Sequence, residues 1–178
     1  GLDGLPALVS TPQNASRYRS VADFADAAAL PTTMVYPELT TAGTDMIPIY
    51  TSVIDRALAS PYAWRQDGKL VLSSYLASDS SAEDWGDTLT NLRASVTGEF
   101  RFVADVHTGV SQLVEAYTEG RPFTSQLHAY KQALSNYLQL ADGIMFAGAA
   151  HLRDGARLDG YEQHLATNFY SDCLIPAM

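Results

Sequence analysis

The sequence predicts an α/β protein, with about six parallel strands alternating with helices in a single domain over residues 1–178. Three observations predict it. Short, continuously apolar runs recur along the chain, and the stretches between them carry apolar residues at helical spacing. The two kinds of segment alternate with a pitch of roughly thirty residues, the size of a βαβ repeat. Continuous apolarity suits a strand covered on both faces, and a parallel neighbour is reached through a helical crossover.

In chain order, Leu5–Val9 is the first strand candidate, followed by a helical stretch at Ser20–Leu30 with Val21, Phe24, Ala25 and Ala28 on one stripe. Thr33–Tyr36 is the second strand candidate. Pro48–Ala59 is the next helix, with Ile49, Val53, Ile54 and Ala57 on its apolar face and a stop before Pro61. The turn Asp67-Gly68 leads into the run Leu70–Tyr75. Ser81-Ala82-Glu83-Asp84 resembles a capping box opening a helix over Ala82–Val96. Phe100–Ala104 is the fourth strand candidate, and Val110–Glu119 a helix ending at Gly120. A helix over Ser125–Ala141 then precedes the turn Asp142-Gly143 and the run Ile144–Ala147. Tyr161–Phe169 is the last helix and Cys173–Ile175 the last strand. An all-helical rival would join Phe100–Glu119 and Ser125–Arg153 into two long helices. Gly109, Gly143 and Gly148 oppose it, each costing ~1 kcal/mol relative to Ala. Six strands fall short of an eight-stranded barrel, which takes ~250 residues. Two architectures remain, an open doubly wound sheet and an incomplete barrel.

Composition excludes several function classes. The net charge is −9 with no basic run, which disfavours nucleic acid and anionic membranes as partners. No apolar stretch approaches the ~20 residues that span a bilayer. The opening GLDGLPALVS shows no signal-peptide pattern. The single cysteine, Cys173, excludes an intrachain disulfide and reads as a small buried hydrophobe. Asn14-Ala15-Ser16 is an N-glycosylation triplet. His128, His151 and His164 have no metal-ligand spacing, and there is no HExxH motif or Cys/His cluster. Nor is there a GxSxG, phosphate-binding or nucleotide-binding pattern, so neither a metal nor another cofactor is expected.

Taken in order, the short runs resemble the strands of glycoside hydrolase family 71, the fungal and bacterial α-1,3-glucanases. Gly1-Leu2-Asp3-Gly4-Leu5-Pro6-Ala7-Leu8 is similar to the family's GIDGFALN-like second strand, and Thr32–Leu39 to its KLFISFDM-like third. Asp67–Tyr75 is similar to its DGKPVVSTF segment, and Phe102-Val103-Ala104-Asp105 to its FIPD. Ala141–Phe146 resembles the family's Ala-Asp-Gly strand, and Tyr170–Met178 its YMMPVSPW approach to the seventh. The resemblance implies a TIM-type (β/α)8 barrel segment covering strands two to seven. It also implies a secreted enzyme hydrolysing an α-glucan, with a polysaccharide or oligosaccharide as partner. The absent barrel units would then come from another chain.

Such hydrolysis uses two carboxyl groups, one protonating the leaving oxygen and one activating water or attacking the sugar. In a (β/α)8 barrel these groups stand at the C-terminal ends of strands. Asp105 and Asp142 are the first candidates for the catalytic pair, with Glu38 assisting, and Asp142 is also explicable as a turn residue. The family pattern places a substrate-binding carboxylate near Asp3. His107 shares a face with Asp105 if the strand continues, where it would bind a sugar hydroxyl or tune the acid. Tyr36 and Tyr75 fall near strand ends and are candidate stacking platforms, whereas Trp64 and Trp85 read as packing residues. The chain also departs from the family. Ala147-Gly148-Ala149-Ala150 stands where the family has a Trp-Glu-Ala-Trp-like stretch, Ala77-Ser78 replaces a Gly-Glu, and Val106 replaces a Trp.

Overall fold

The computed structural model describes residues 5–29, 35–106, 122 and 124–145. Within them the chain runs β1 (Leu5–Val9), α1 (Pro12–Ala27), β2 (Val35–Leu39), α2 (Ile47–Ala59), β3 (Arg65–Gln66), β4 (Lys69–Ser74), α3 (Ala82–Ser95), β5 (Phe100–Asp105), α4 (Thr124–Leu138) and β6 (Gly143–Met145). The strands form one six-stranded sheet. Its parallel ladder has the order β1-β2-β4-β5-β6, and β3 pairs antiparallel with β4. Strand order follows chain order, and β1 and β6 do not meet, so the sheet is not closed among the described residues. The strand at Phe100–Asp105 removes the all-helical alternative. The expected helices at 110–119 and 161–169 and the expected strand at 173–175 lie outside the described residues.

The helices share a single core with one face of the sheet. Val9, Leu39, Leu70, Leu72, Phe100, Phe102 and Ala104 join residues from all four helices in one buried cluster. Alternation along each strand then assigns Leu8, Tyr36, Glu38, Val71, Ser73, Val103 and Asp105 to the other face. Trp85 of α3 anchors the helix side, fully buried with its ring 5.1 Å from that of Phe102.

Local chemistry explains most boundaries. Ser81 caps α3, accepting the Asp84 N–H at 3.0 Å while its own hydroxyl donates to the Asp84 carboxylate at 2.6 Å. Asp67 and Gly68 both take positive φ, 51° and 79°, the geometry that closes the β3–β4 hairpin. Helix α1 starts eight residues before the expected Ser20, because Thr11 caps it and Pro12 opens it. Its buried line is Ala15, Tyr18, Ala22 and Ala25, while Val21 and Phe24 are 46% and 68% exposed.

Strand β2 also departs from expectation, running through Pro37 to Leu39 instead of ending at Tyr36. Pro37 lacks the N–H that a central strand donates. The Leu39 carbonyl accepts the Tyr75 N–H at 2.8 Å, so Leu39 and, by alternation, Pro37 direct their backbone groups toward β4. There the β2–β4 ladder begins only at Glu38–Ser73, because β3 occupies the earlier edge of β4 at Lys69 and Leu70. The missing donor therefore faces a place where no ladder bond is due.

Candidate functional site

Because Pro37 does not end β2, Glu38 is a strand residue and not a loop acid. It pairs with Leu8 on one side and Ser73 on the other, and it is 7% exposed. The Ser73 hydroxyl donates to Glu38 Oε1 at 3.5 Å. Asp105 ends β5, two strands across and two residues further toward the C-terminal edge, and is 0% exposed. Glu38 and Asp105 occupy the same face of the sheet near the C-terminal ends of their strands. Burial raises the Glu38 pKa above the ordinary glutamate range, and the nearby Asp105 charge raises it further. The Ser73 hydrogen bond opposes both effects without cancelling them.

The loops around this pair are tied down by named contacts. After β4 the chain turns through Leu76 in the left-handed region, φ 56°, a conformation unfavourable for a residue with a branched side chain. The Leu76 N–H donates to Asp105 Oδ2 at 3.1 Å, while the Asp105 N–H donates to Ser74 Oγ at 3.0 Å. The Ala77 carbonyl accepts from the Trp85 indole at 2.9 Å. The Tyr137 hydroxyl donates between the carbonyls of Ala77 and Ser80, at 2.8 and 2.6 Å. Burial and the charges of Asp79 and Asp84 push the Tyr137 pKa up to about 12, so this donor survives any ordinary pH. After β2, the Thr40 and Thr41 N–H groups donate to the Tyr50 hydroxyl at 3.2 and 3.1 Å, and the Gly43 N–H donates to Thr88 Oγ1 at 2.9 Å. Both loops bordering the acid pair are thus held by the helix layer beneath them, the arrangement that keeps a reactive group in place.

The other candidates are placed differently. Asp142 stands at the N-terminal end of β6, where its carboxylate accepts the Phe102 N–H at 2.9 Å and its own N–H donates to the Phe102 carbonyl at 2.8 Å. Met145 is the β6 residue level with Asp105, so Asp142 sits about 10 Å lower along the strands. The structure places Glu38 and Asp105 on one face near the C-terminal strand ends and leaves Asp142 at the opposite end. Tyr36 is the second residue of β2, below Glu38, with its ring edge-on to Trp64 at 5.5 Å. Burial and the Glu38 charge raise its pKa. Tyr75, half-buried, follows β4 at the C-terminal edge. Asp3 and His107 lie outside the described residues, as do Cys173, His151 and His164. His128 is exposed on α4. Among the described residues no cluster of His, Cys, Asp or Glu could hold a metal ion, and no helix is long and apolar enough to cross a membrane. Sequence reasoning did not single out Ser73, since a serine inside an apolar run carries no signal of its own.

Comparison with protein-family models, with curated proteins and with solved structures finds no match to this chain.

Proposed function

We propose that this chain is part of a (β/α)8-type glycoside hydrolase barrel acting on an α-glucan such as α-1,3-glucan, with Glu38 and Asp105 as its paired carboxyl groups. The observation that carries the reading is a buried glutamic acid whose pKa is raised beside a second buried acid. A hydrolase needs one carboxyl that holds a proton to give, and a raised glutamate pKa suits that role. Sequential strand order, with helices on a single face of the sheet among the described residues, supports a barrel arc, since a doubly wound sheet places helices on both faces. The C-terminal strand ends are where such barrels carry chemistry.

In this reading Glu38 gives its proton to the glycosidic oxygen as the bond from the anomeric carbon breaks. The Asp105 carboxylate takes a proton from the attacking water or bonds to the anomeric carbon itself. No metal or cofactor enters either step. A secreted location and a polysaccharide or oligosaccharide partner belong to the same reading. The test is release of reducing ends from α-1,3-glucan and a panel of other α-glucans. Glu38→Gln and Asp105→Asn should each lower the rate ~100-fold or more. No release from any glycan by folded protein would end this reading.

A second reading is a non-catalytic glycan-binding or structural segment that assembles with another chain. It is favoured by the exposed Leu8, Val21 and Phe24 on the β1–α1 side and by Ala147-Gly148-Ala149-Ala150 in place of an acid and two aromatics. It predicts association or calorimetric glycan binding without reducing-end release.

A further inference from the structure

The C-terminal end of β4 carries two adjacent serines, both buried, and they have different work. The Ser74 hydroxyl accepts the Asp105 N–H and so continues the β4–β5 connection past the last backbone pair, Ser73–Val103. Ser73 turns to the opposite face, where its hydroxyl meets the Glu38 carboxyl. Its backbone is paired with Glu38 on one side and Val103 on the other, so its position is set by two ladders at once. We propose that Ser73 is the positioning residue for Glu38, holding its carboxyl whether protonated or ionised, so that the group can give up a proton and take one back without moving.

The chemistry follows from the hydroxyl. A serine O–H donates to a carboxylate, and its oxygen accepts from a protonated carboxyl. One side chain therefore offers Glu38 a partner on both sides of a proton transfer. An alanine would leave the ionised form buried with a partner lost, which costs more than the bond is worth. Among the described residues, the other groups on that face of the sheet cannot substitute. Leu8 on β1 is apolar, and Gly143 and Met145 on β6 bring no charge. Asp105 on β5 is itself an acid, and Tyr36 lies below on the same strand. Arg101, lower on β5, is engaged with Asp67 at 2.6 Å.

This inference rests on Glu38 being the proton donor proposed above, but its test does not need turnover. Glu38 is one of six glutamates, so its carboxyl carbon can be followed by 13C NMR and assigned by its disappearance in Glu38→Gln. Loss of the donor in Ser73→Ala should move the Glu38 titration midpoint to higher pH. Ser73→Thr, which keeps the hydroxyl, should leave it near the native value. A midpoint unmoved in Ser73→Ala, or moved equally by Thr, overturns the proposal. Should Ser73→Ala not fold, Ser73→Cys serves, with an upward shift supporting the role and none overturning it. A shifted midpoint in a protein that hydrolyses no glycan would sink the hydrolase reading and leave the Ser73–Glu38 contact standing. An unmoved midpoint in an active enzyme would do the reverse.

Discussion

Asp26 and Glu38 are both acids drawn partly or wholly out of water, and the fold treats them in opposite ways. Asp26 lies on α1 at the seam with α2. Its carboxylate takes a 2.7 Å contact from Arg56 and a 2.6 Å hydrogen bond from Ser60, and Asp23 shares the same guanidinium at 2.8 Å. Burial pushes the Asp26 pKa up, but the hydrogen bonds from Ser60 and Arg56 and the arginine charge outweigh it and hold it below the ordinary range. Among the described residues Glu38 has no such cation. It shares a sheet face with Asp105 and Tyr36, and burial together with the Asp105 charge raises its pKa. The acid at the helix seam is given a counter-charge and its pKa falls, whereas the acid on the sheet face has none among the described residues and its pKa rises.

The contrast can be broken by two substitutions with opposite pH signatures. Asp26→Asn should destabilise the protein by about 1–2 kcal/mol at neutral pH, because it removes a hydrogen-bonded charge from a part-buried pair. A depressed pKa contributes stability above the unfolded-state value and loses it as pH falls through the folded-state value. The deficit of the variant, read from urea unfolding, should therefore shrink as the solution is acidified. Glu38→Gln should act in the other direction and more weakly, raising the melting temperature by a few degrees at neutral pH. A raised pKa contributes stability that is complete below the unfolded-state value, about 4.3, and is lost as pH rises through the folded-state value. The advantage of the glutamine variant should accordingly vanish at acid pH and grow on the alkaline side. Two deficits of the same sign and pH trend would show that both acids are structural ion-pair members.

Much of the scaffold was legible before the structure. Leu5–Val9, Lys69–Ser74 and Phe100–Asp105 are strands close to where continuous apolarity puts them, and α3 starts where its capping box says. The misreadings have local causes. Pro37 looks like a terminator, and only the pairing of neighbouring strands shows that its missing N–H faces a gap. In α1 the larger hydrophobics, Val21 and Phe24, are exposed while alanines and Tyr18 are buried, the reverse of what side-chain size suggests. At the site, Glu38 and Asp105 could be chosen as acids near strand ends. Their meeting depends on register between β2, β4 and β5, which is non-local information. Ser73 is invisible for the same reason, and Asp142, whose Asp-Gly turn opens its strand as the sequence indicates, is a candidate through the family resemblance alone.

The central claim is that burial, with the Asp105 charge beside it, raises the Glu38 pKa, and one titration addresses it directly. The Glu38 carboxyl carbon should be followed by 13C NMR in the native protein and in Asp105→Asn. The account predicts a native midpoint above the ordinary glutamate range that falls when the Asp105 charge is removed. A midpoint in the ordinary range, or one indifferent to Asp105, would contradict it.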